Sequence, residues 1–327
     1  MIQKFTVSRD DTIYEAWPDV TLTPSGKLLC VFSECTHHTD RSYTRIVCCE
    51  STDRGRTWSP KRPVTEATNG LPYWNCARVQ TLSDGRLLVV VDKITEQREA
   101  GAITYLIFSE DDGLTWSDPI PTPATGIVPD RLLELESGRW IISTHQRNPE
   151  TGNLAQYLWY SDDGGATWSE RVTVADQAGL NLCEVSILPV EGRLVAFMRE
   201  NSGLGRPCYK TISEDDGETW SEPMPFPLPG CHRPVADYLQ DGHIFITYRF
   251  TQGGGRRHKV VDGKRTWGPP WQNFFGAVTD RESALATSYK EAWTRIIPID
   301  FDRSLYTNDL GYSGWVQFDD GEVYIVN

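Results

Sequence analysis

The chain has 327 residues, 39% of them hydrophobic and 24% charged, and its 32 Lys+Arg against 45 Asp+Glu leave a formal net charge of -13. That length buries a large core without staples. The acidic balance argues against nucleic acid and against an anionic membrane surface, both of which call for basic patches, and no run reaches the ~18 apolar residues of a spanning helix.

At the N-terminus, Met1-Ile2-Gln3-Lys4-Phe5 lacks an apolar leader segment, so a cytoplasmic protein is expected, with a trimmed secreted form as the other reading. The eight cysteines, Cys30, Cys35, Cys48, Cys49, Cys76, Cys183, Cys208 and Cys231, form no Cys-x-x-Cys pair. They read as reduced thiols, and neither a metal nor a cofactor is expected.

Along the chain the same two landmarks alternate. The first is a polar turn ending in glycine between apolar runs, at Gly26, Gly85, Gly138, Gly192, Gly242 and Gly321. Asp-Gly between β-branched runs is a strong hairpin signal. The second is a box, Ser51-x-Asp53-x-Gly55-x-Thr57-Trp58, repeated as Ser109 to Trp116, Ser161 to Trp168 and Ser213 to Trp220, with a worn copy from Asp262 to Trp267. Each unit therefore reads as strand, glycine turn, strand, loop, strand, box, strand, which is a propeller blade. Six turn glycines predict an all-β fold, a single six-bladed β-propeller domain over residues 1–327. An irregular insertion is expected at about 270–311, with a strand at Thr294–Ile299, and Gln3–Val7 is expected to complete the last blade.

In the boxes, Asp, Ser and Thr side chains can tie down a tight turn, Gly supplies a permissive backbone, and Trp packs on the blade. The boxes lack the bidentate Glu of a calcium loop, so they read as structural and distant from any site. The candidate site comes from aligning the blades. Counting back from each turn glycine gives windows containing Asp19, Arg78, Arg131, Glu184, Arg233 and Tyr312. Seven residues after the glycine stand Ser33, Asp92, His145, Arg199 and Arg249. Such a convergence of Arg, Glu, Asp and Tyr predicts a polar ligand site, and arginines in an acidic chain point to an anionic ligand.

The boxes, together with Asn181-Leu-Cys-Glu184 and Phe197-Met-Arg199, resemble the sialidase (neuraminidase) superfamily of BNR-repeat β-propellers, over residues 14 to 324. The resemblance implies a glycosidase acting on an acidic glycan or sialate-like sugar, an acidic carbohydrate being the expected partner. It implies Tyr312 as nucleophile paired with Glu184, Arg199 and Arg249 holding the sugar carboxylate, and Asp40 as acid/base. The family's first arginine is absent: Ala16-Trp17-Pro18 stands where the family has Arg-Ile-Pro, followed by Asp19. Arg78, Arg131 or Arg233 could substitute. His37 and His38, in the same loop as Asp40, are candidate acid/base groups near neutral pH. They open a second reading, a uronate- or rhamnosyl-uronate-directed hydrolase or lyase using His. A non-catalytic glycan-binding propeller is the third.

Overall fold

The computed structural model describes residues 2–95, 101–251, 259–261, 264–266, 272–302 and 309–327. Strands form where turn signals bound the apolar runs. The first blade is β1 (Tyr14–Leu22), β2 (Leu28–His37), β3 (Asp40–Ser51) and β4 (Arg62–Pro63), and the second is β5 (Tyr73–Thr81), β6 (Leu87–Ile94), β7 (Ile103–Ser109) and β8 (Ile120–Thr125). The third is β9 (Leu133–Glu134), β10 (Trp140–Arg147), β11 (Leu154–Ser161) and β12 (Val172–Ala175), and the fourth is β13 (Leu182–Val190), β14 (Arg193–Glu200), β15 (Cys208–Ser213) and β16 (Met224–Phe226). In all four sheets each strand neighbours the next in sequence.

The fifth blade starts with β17 (Cys231–Tyr238) and β18 (Ile244–Thr251), leaves for a hairpin of β19 (Lys259–Val261) and β20 (Lys264–Thr266), and resumes with β21 (Gln272–Thr279). The short helix α1 (Arg281–Leu285) then leads to β22 (Arg295–Asp300), which closes the order β17-β18-β21-β22. Residues 272–300, expected inside an insertion, thus supply half of a regular blade. The worn box falls on the hairpin: Lys264–Thr266 forms β20, and Asp262, Gly263 and Trp267 lie outside the described residues.

The fold is a propeller of four-stranded antiparallel blades, but among the described residues five blades are complete, not six. The last turn glycine joins β23 (Gly314–Gln317) to β24 (Val323–Val326) in a two-stranded sheet. A turn glycine reports one hairpin, not a whole blade. Gly321 has φ 89° and donates to Phe318 O at 2.8 Å, as Gly85 with φ 86° does to Leu82 O at 2.9 Å; the turns are alike while the sheets around them differ. Gln3–Val7 forms no strand; Val7 instead packs on the cluster containing Phe318 and Val326.

Inner strands are buried on both faces. In β2, Leu28 and Cys30 belong to one core cluster and Leu29 and Val31 to the next, the two-residue period of a strand caught between two layers. The chain divides into two compact units, Met1–Gln146 with Leu158–Arg171 and Ser313–Asn327, and Arg147–Tyr157 with Val172–Tyr312.

The boxes close as their chemistry dictates. Ser51 Oγ donates to Asp53 and accepts from Gly55 N at 2.8 Å, while Asp53 accepts from Thr57 N at 2.9 Å and from Thr57 Oγ1 at 2.6 Å. Trp58 Nε1 reaches back to Gly55 O at 3.1 Å. The hydrogen bonds from Thr57 and Ser51 hold the Asp53 carboxyl down at about 2, since each favours the ionised form. The same set recurs around Asp111, Asp163 and Asp215.

Candidate active site

One device launches the candidate side chains. In β13, pairing with β14 slips between Cys183 and Ser186, and in β17, pairing with β18 slips between His232 and Val235. Each slip is a β-bulge, one extra residue that re-aims a side chain. Glu184 and Arg233 are those bulge residues, held at φ 49° and 52°. Left-handed backbone is uncommon for such residues and costs of order 1–3 kcal/mol, which the surrounding sheet must sustain. Strand ends supply the rest. Cys183 pairs with Arg199 and His232 pairs with Arg249, so each bulge stands beside an arginine on the second strand of its own blade.

In this second unit Tyr312, Glu184, Arg199, Arg249 and Arg233 come together. The Tyr312 hydroxyl donates to Glu184 Oε1. Arg199 Nη1 donates to both carboxylate oxygens of Glu184, at 2.8 and 2.9 Å, and its Nη2 to Asn201 Oδ1 at 2.7 Å. Burial works against the Arg199 charge, but the Glu184 carboxylate outweighs it and the pKa is raised. Arg249 donates from Nε to Leu310 O at 2.6 Å and from Nη2 to Asp309 at 2.8 Å. The guanidinium carbons of Arg249 and Arg233 lie 4.7 and 5.6 Å from the Tyr312 ring centroid. A phenol hydrogen-bonded to a carboxylate can lose its proton to it, and the cations nearby favour the phenolate that results. Asn201 and Asp309 escaped the sequence reading, although each stands within three residues of a singled-out side chain.

The first unit treats its candidates differently. Asp19, fully buried, accepts from Arg131 Nε at 3.0 Å and Nη2 at 2.6 Å, from Val79 N at 3.0 Å, and pairs with Arg78 Nε at 3.3 Å. Arg78 also donates to Ser313 O at 2.9 Å. These three residues form an ion cluster in which Asp19 stitches the first blade to the second, as Ser186 Oγ stitches the fourth to the fifth by accepting from Ala236 N at 3.1 Å. Asp92 is a second stitch. It accepts from Asn75 Nδ2, from Cys76 N and, one blade on, from Val128 N, and burial raises its pKa despite these bonds. Asp19 thus pairs with both Arg78 and Arg131.

Asp40 and His37 sit at the exposed tip of the β2–β3 hairpin. Asp40 accepts from Ser42 N at 2.9 Å, and the Ser42 hydrogen bonds lower its pKa, the opposite of what a general acid needs at neutral pH. His37 Nδ1 meets Thr39 Oγ1 at 3.2 Å, and His38 packs on Trp17 with centroids 5.4 Å apart. Trp17 is the bulge residue of β1, at φ 56°, and carries the Arg41 guanidinium 4.3 Å above its ring.

A BNR repeat-like domain model matches residues 26–325. Among characterised relatives, the Bacteroides fragilis sialidase is 28% identical over 198 residues, 56% of this chain and 35% of that protein. The Clostridium perfringens sialidase is 25% identical over 242 residues, 63% of this chain and 61% of that one. The chain therefore spans between a third and three-fifths of the length of these relatives. Among solved structures, a Dyadobacter fermentans protein of unknown function superposes with TM-score 0.76 at 20% identity, covering 98% of this chain and 92% of that one. A Hadza microbial sialidase superposes with TM-score 0.70 at 18% identity, covering 95% and 62%. The boxes, the blades and the matched span agree: this chain belongs to the BNR repeat-like family of the sialidase superfamily.

Proposed function

We propose that the chain is a sialidase-type glycoside hydrolase that acts on an acidic glycan bearing a sialate-like sugar. One observation carries the reading: the Tyr312 hydroxyl donates to Glu184, whose carboxylate is itself held by Arg199. A phenol of pKa near 10 is ionised in only about one molecule per thousand at pH 7, so a base at hand matters. Glu184 takes the phenol proton as Tyr312 Oη attacks the anomeric carbon and the bond to the aglycone oxygen breaks, with solvent donating a proton to that oxygen and later taking one back from Glu184. Water then cleaves the tyrosyl–sugar bond and restores the phenol, giving retention. A neutral phenol suits an anionic sugar, which would repel a carboxylate nucleophile.

The test is turnover of 3′-sialyllactose and of an aryl sialoside by Tyr312→Phe. We expect kcat to fall by at least about 10³-fold, with the melting temperature and inhibitor affinity retained. Full activity in Tyr312→Phe, with loss in a His37→Ala/His38→Ala double variant, would move the chain to the histidine-using reading.

A further inference from the structure

Arg199 and Arg249 hold the same place in successive blades, yet the acceptors of their Nη2 groups differ in charge. Arg249 Nη2 donates to the Asp309 carboxylate at 2.8 Å, and Arg199 Nη2 donates to the Asn201 carboxamide at 2.7 Å. A carboxylate takes up the positive charge it pairs with, whereas an amide oxygen orients the guanidinium and leaves its charge for another partner. For Arg199 that partner is Glu184, both of whose oxygens accept from Nη1, at 2.8 and 2.9 Å. Among the described residues, Glu184 and Asn201 are the groups that fix this buried fork, since its Nε makes no hydrogen bond.

The peptide that carries Asn201 is itself tied down. Asn201 N donates to Asn181 O at 2.8 Å. The buried Glu200 carboxylate accepts from Asn181 N at 3.1 Å, from Ser202 N at 3.2 Å and from Ser202 Oγ at 2.6 Å. The loop after β14 is thereby clasped to the approach to β13, the strand whose bulge carries Glu184. Side chains that must hold one geometry are kept there by locked residues behind them.

We infer that Asn201 is a positioning residue: as a neutral acceptor for Nη2 it aims Arg199 Nη1 at Glu184, so that Glu184 stays ionised and ready to take the proton of Tyr312. This role rests on Tyr312 and Glu184 being the reacting pair. The charged and titratable groups that act on Glu184 are Arg199 of β14, Tyr312 and the Cys231 thiol of β17, with Arg233 and Arg249 beside the Tyr312 ring.

The test uses the whole chain, with an aryl sialoside for turnover and an acidic probe, 2-deoxy-2,3-didehydro-N-acetylneuraminic acid, for affinity by calorimetry. Thermal melts check folding. Asn201→Leu leaves Nη2 buried without its acceptor, and kcat should fall about ten- to a hundredfold while probe affinity stays within about threefold. Asn201→Asp restores the acceptor but adds a charge that competes with Glu184 for Arg199. Its kcat should recover to within about threefold of native on the alkaline side, with the acid limb of the pH profile moved up by about one unit. Native kcat in a folded Asn201→Leu chain overturns the inference, as does an Asn201→Asp chain equally slow at every pH. Either result leaves the proposed function standing if Tyr312→Phe is inactive. If Asn201→Leu does not fold, Asn201→Asp decides, and an unmoved acid limb overturns the inference. A native chain that neither turns over the sialoside nor binds the probe overturns both.

Discussion

Asp19, a substrate-binding candidate by its place in the repeat, lies in a buried ion cluster, and its removal should show in stability. Asp19→Asn keeps the shape and deletes the charge. The Arg78 side chain, 3% exposed, and Arg131, 22% exposed, would then face a neutral amide in a dry environment. Breaking a buried ion pair by neutralising one partner costs about 3–5 kcal/mol, because the other charge stays buried. Spread over 327 residues, with the unfolding entropy usual per residue, this is a fall in melting temperature of roughly 4–7 °C if the chain melts as one unit. Circular dichroism melts at pH 7 measure it. The pH dependence has a definite sign. Burial alone would raise the Asp19 pKa, but Arg131 and Arg78 outweigh it and the value is lowered. A depressed native pKa stabilises fully above the unfolded value of about 3.9 and loses that contribution as pH falls through the native value. The gap between native chain and variant should therefore hold down to about pH 4 and close below it. A melting temperature within 1 °C of the native one, combined with lost affinity for the acidic probe, would refute the structural role and return Asp19 to the binding site.

The boxes should behave as turns and nothing more. Asp215→Ala removes the acceptor of Thr219 N and Thr219 Oγ1 and should cost about 1–2 kcal/mol after solvent screening, with probe affinity unchanged; lost binding at native stability would contradict this. All eight cysteines are buried, and burial pushes Cys49 up to about 12 and Cys30 well above its ordinary value. Ellman's reagent at pH 8 should therefore label none in the folded chain and all eight in guanidinium, since only the thiolate reacts; fast labelling of the native chain would show that a thiol is reachable.

Some features of this protein are legible one repeat at a time. The box needs only Ser51, Asp53, Gly55 and Thr57, four residues within one turn, to satisfy its own hydrogen bonds. The turn glycines need only their own hairpins. Glu184, Arg199, Arg249 and Tyr312 were each readable as candidates because they hold fixed places in the repeat. What lies outside a single repeat was not. Gly321 marks the same turn as Gly85 and yet, among the described residues, joins a two-stranded sheet, because a third and fourth strand are matters of distant pairing. Asp19 stood among the site candidates by its place in the repeat, and only the fold puts Arg131, 112 positions away, and Val79, 60 positions away, on its oxygens. Arg233 and Glu184 became equivalent only when both bulges were seen to carry left-handed backbone. A local turn is decided by bonds among neighbours, which sequence spacing displays. The partner of a buried charge is decided by which blades pack together, because desolvation forces each charge onto whatever counter-charge the packing brings within reach.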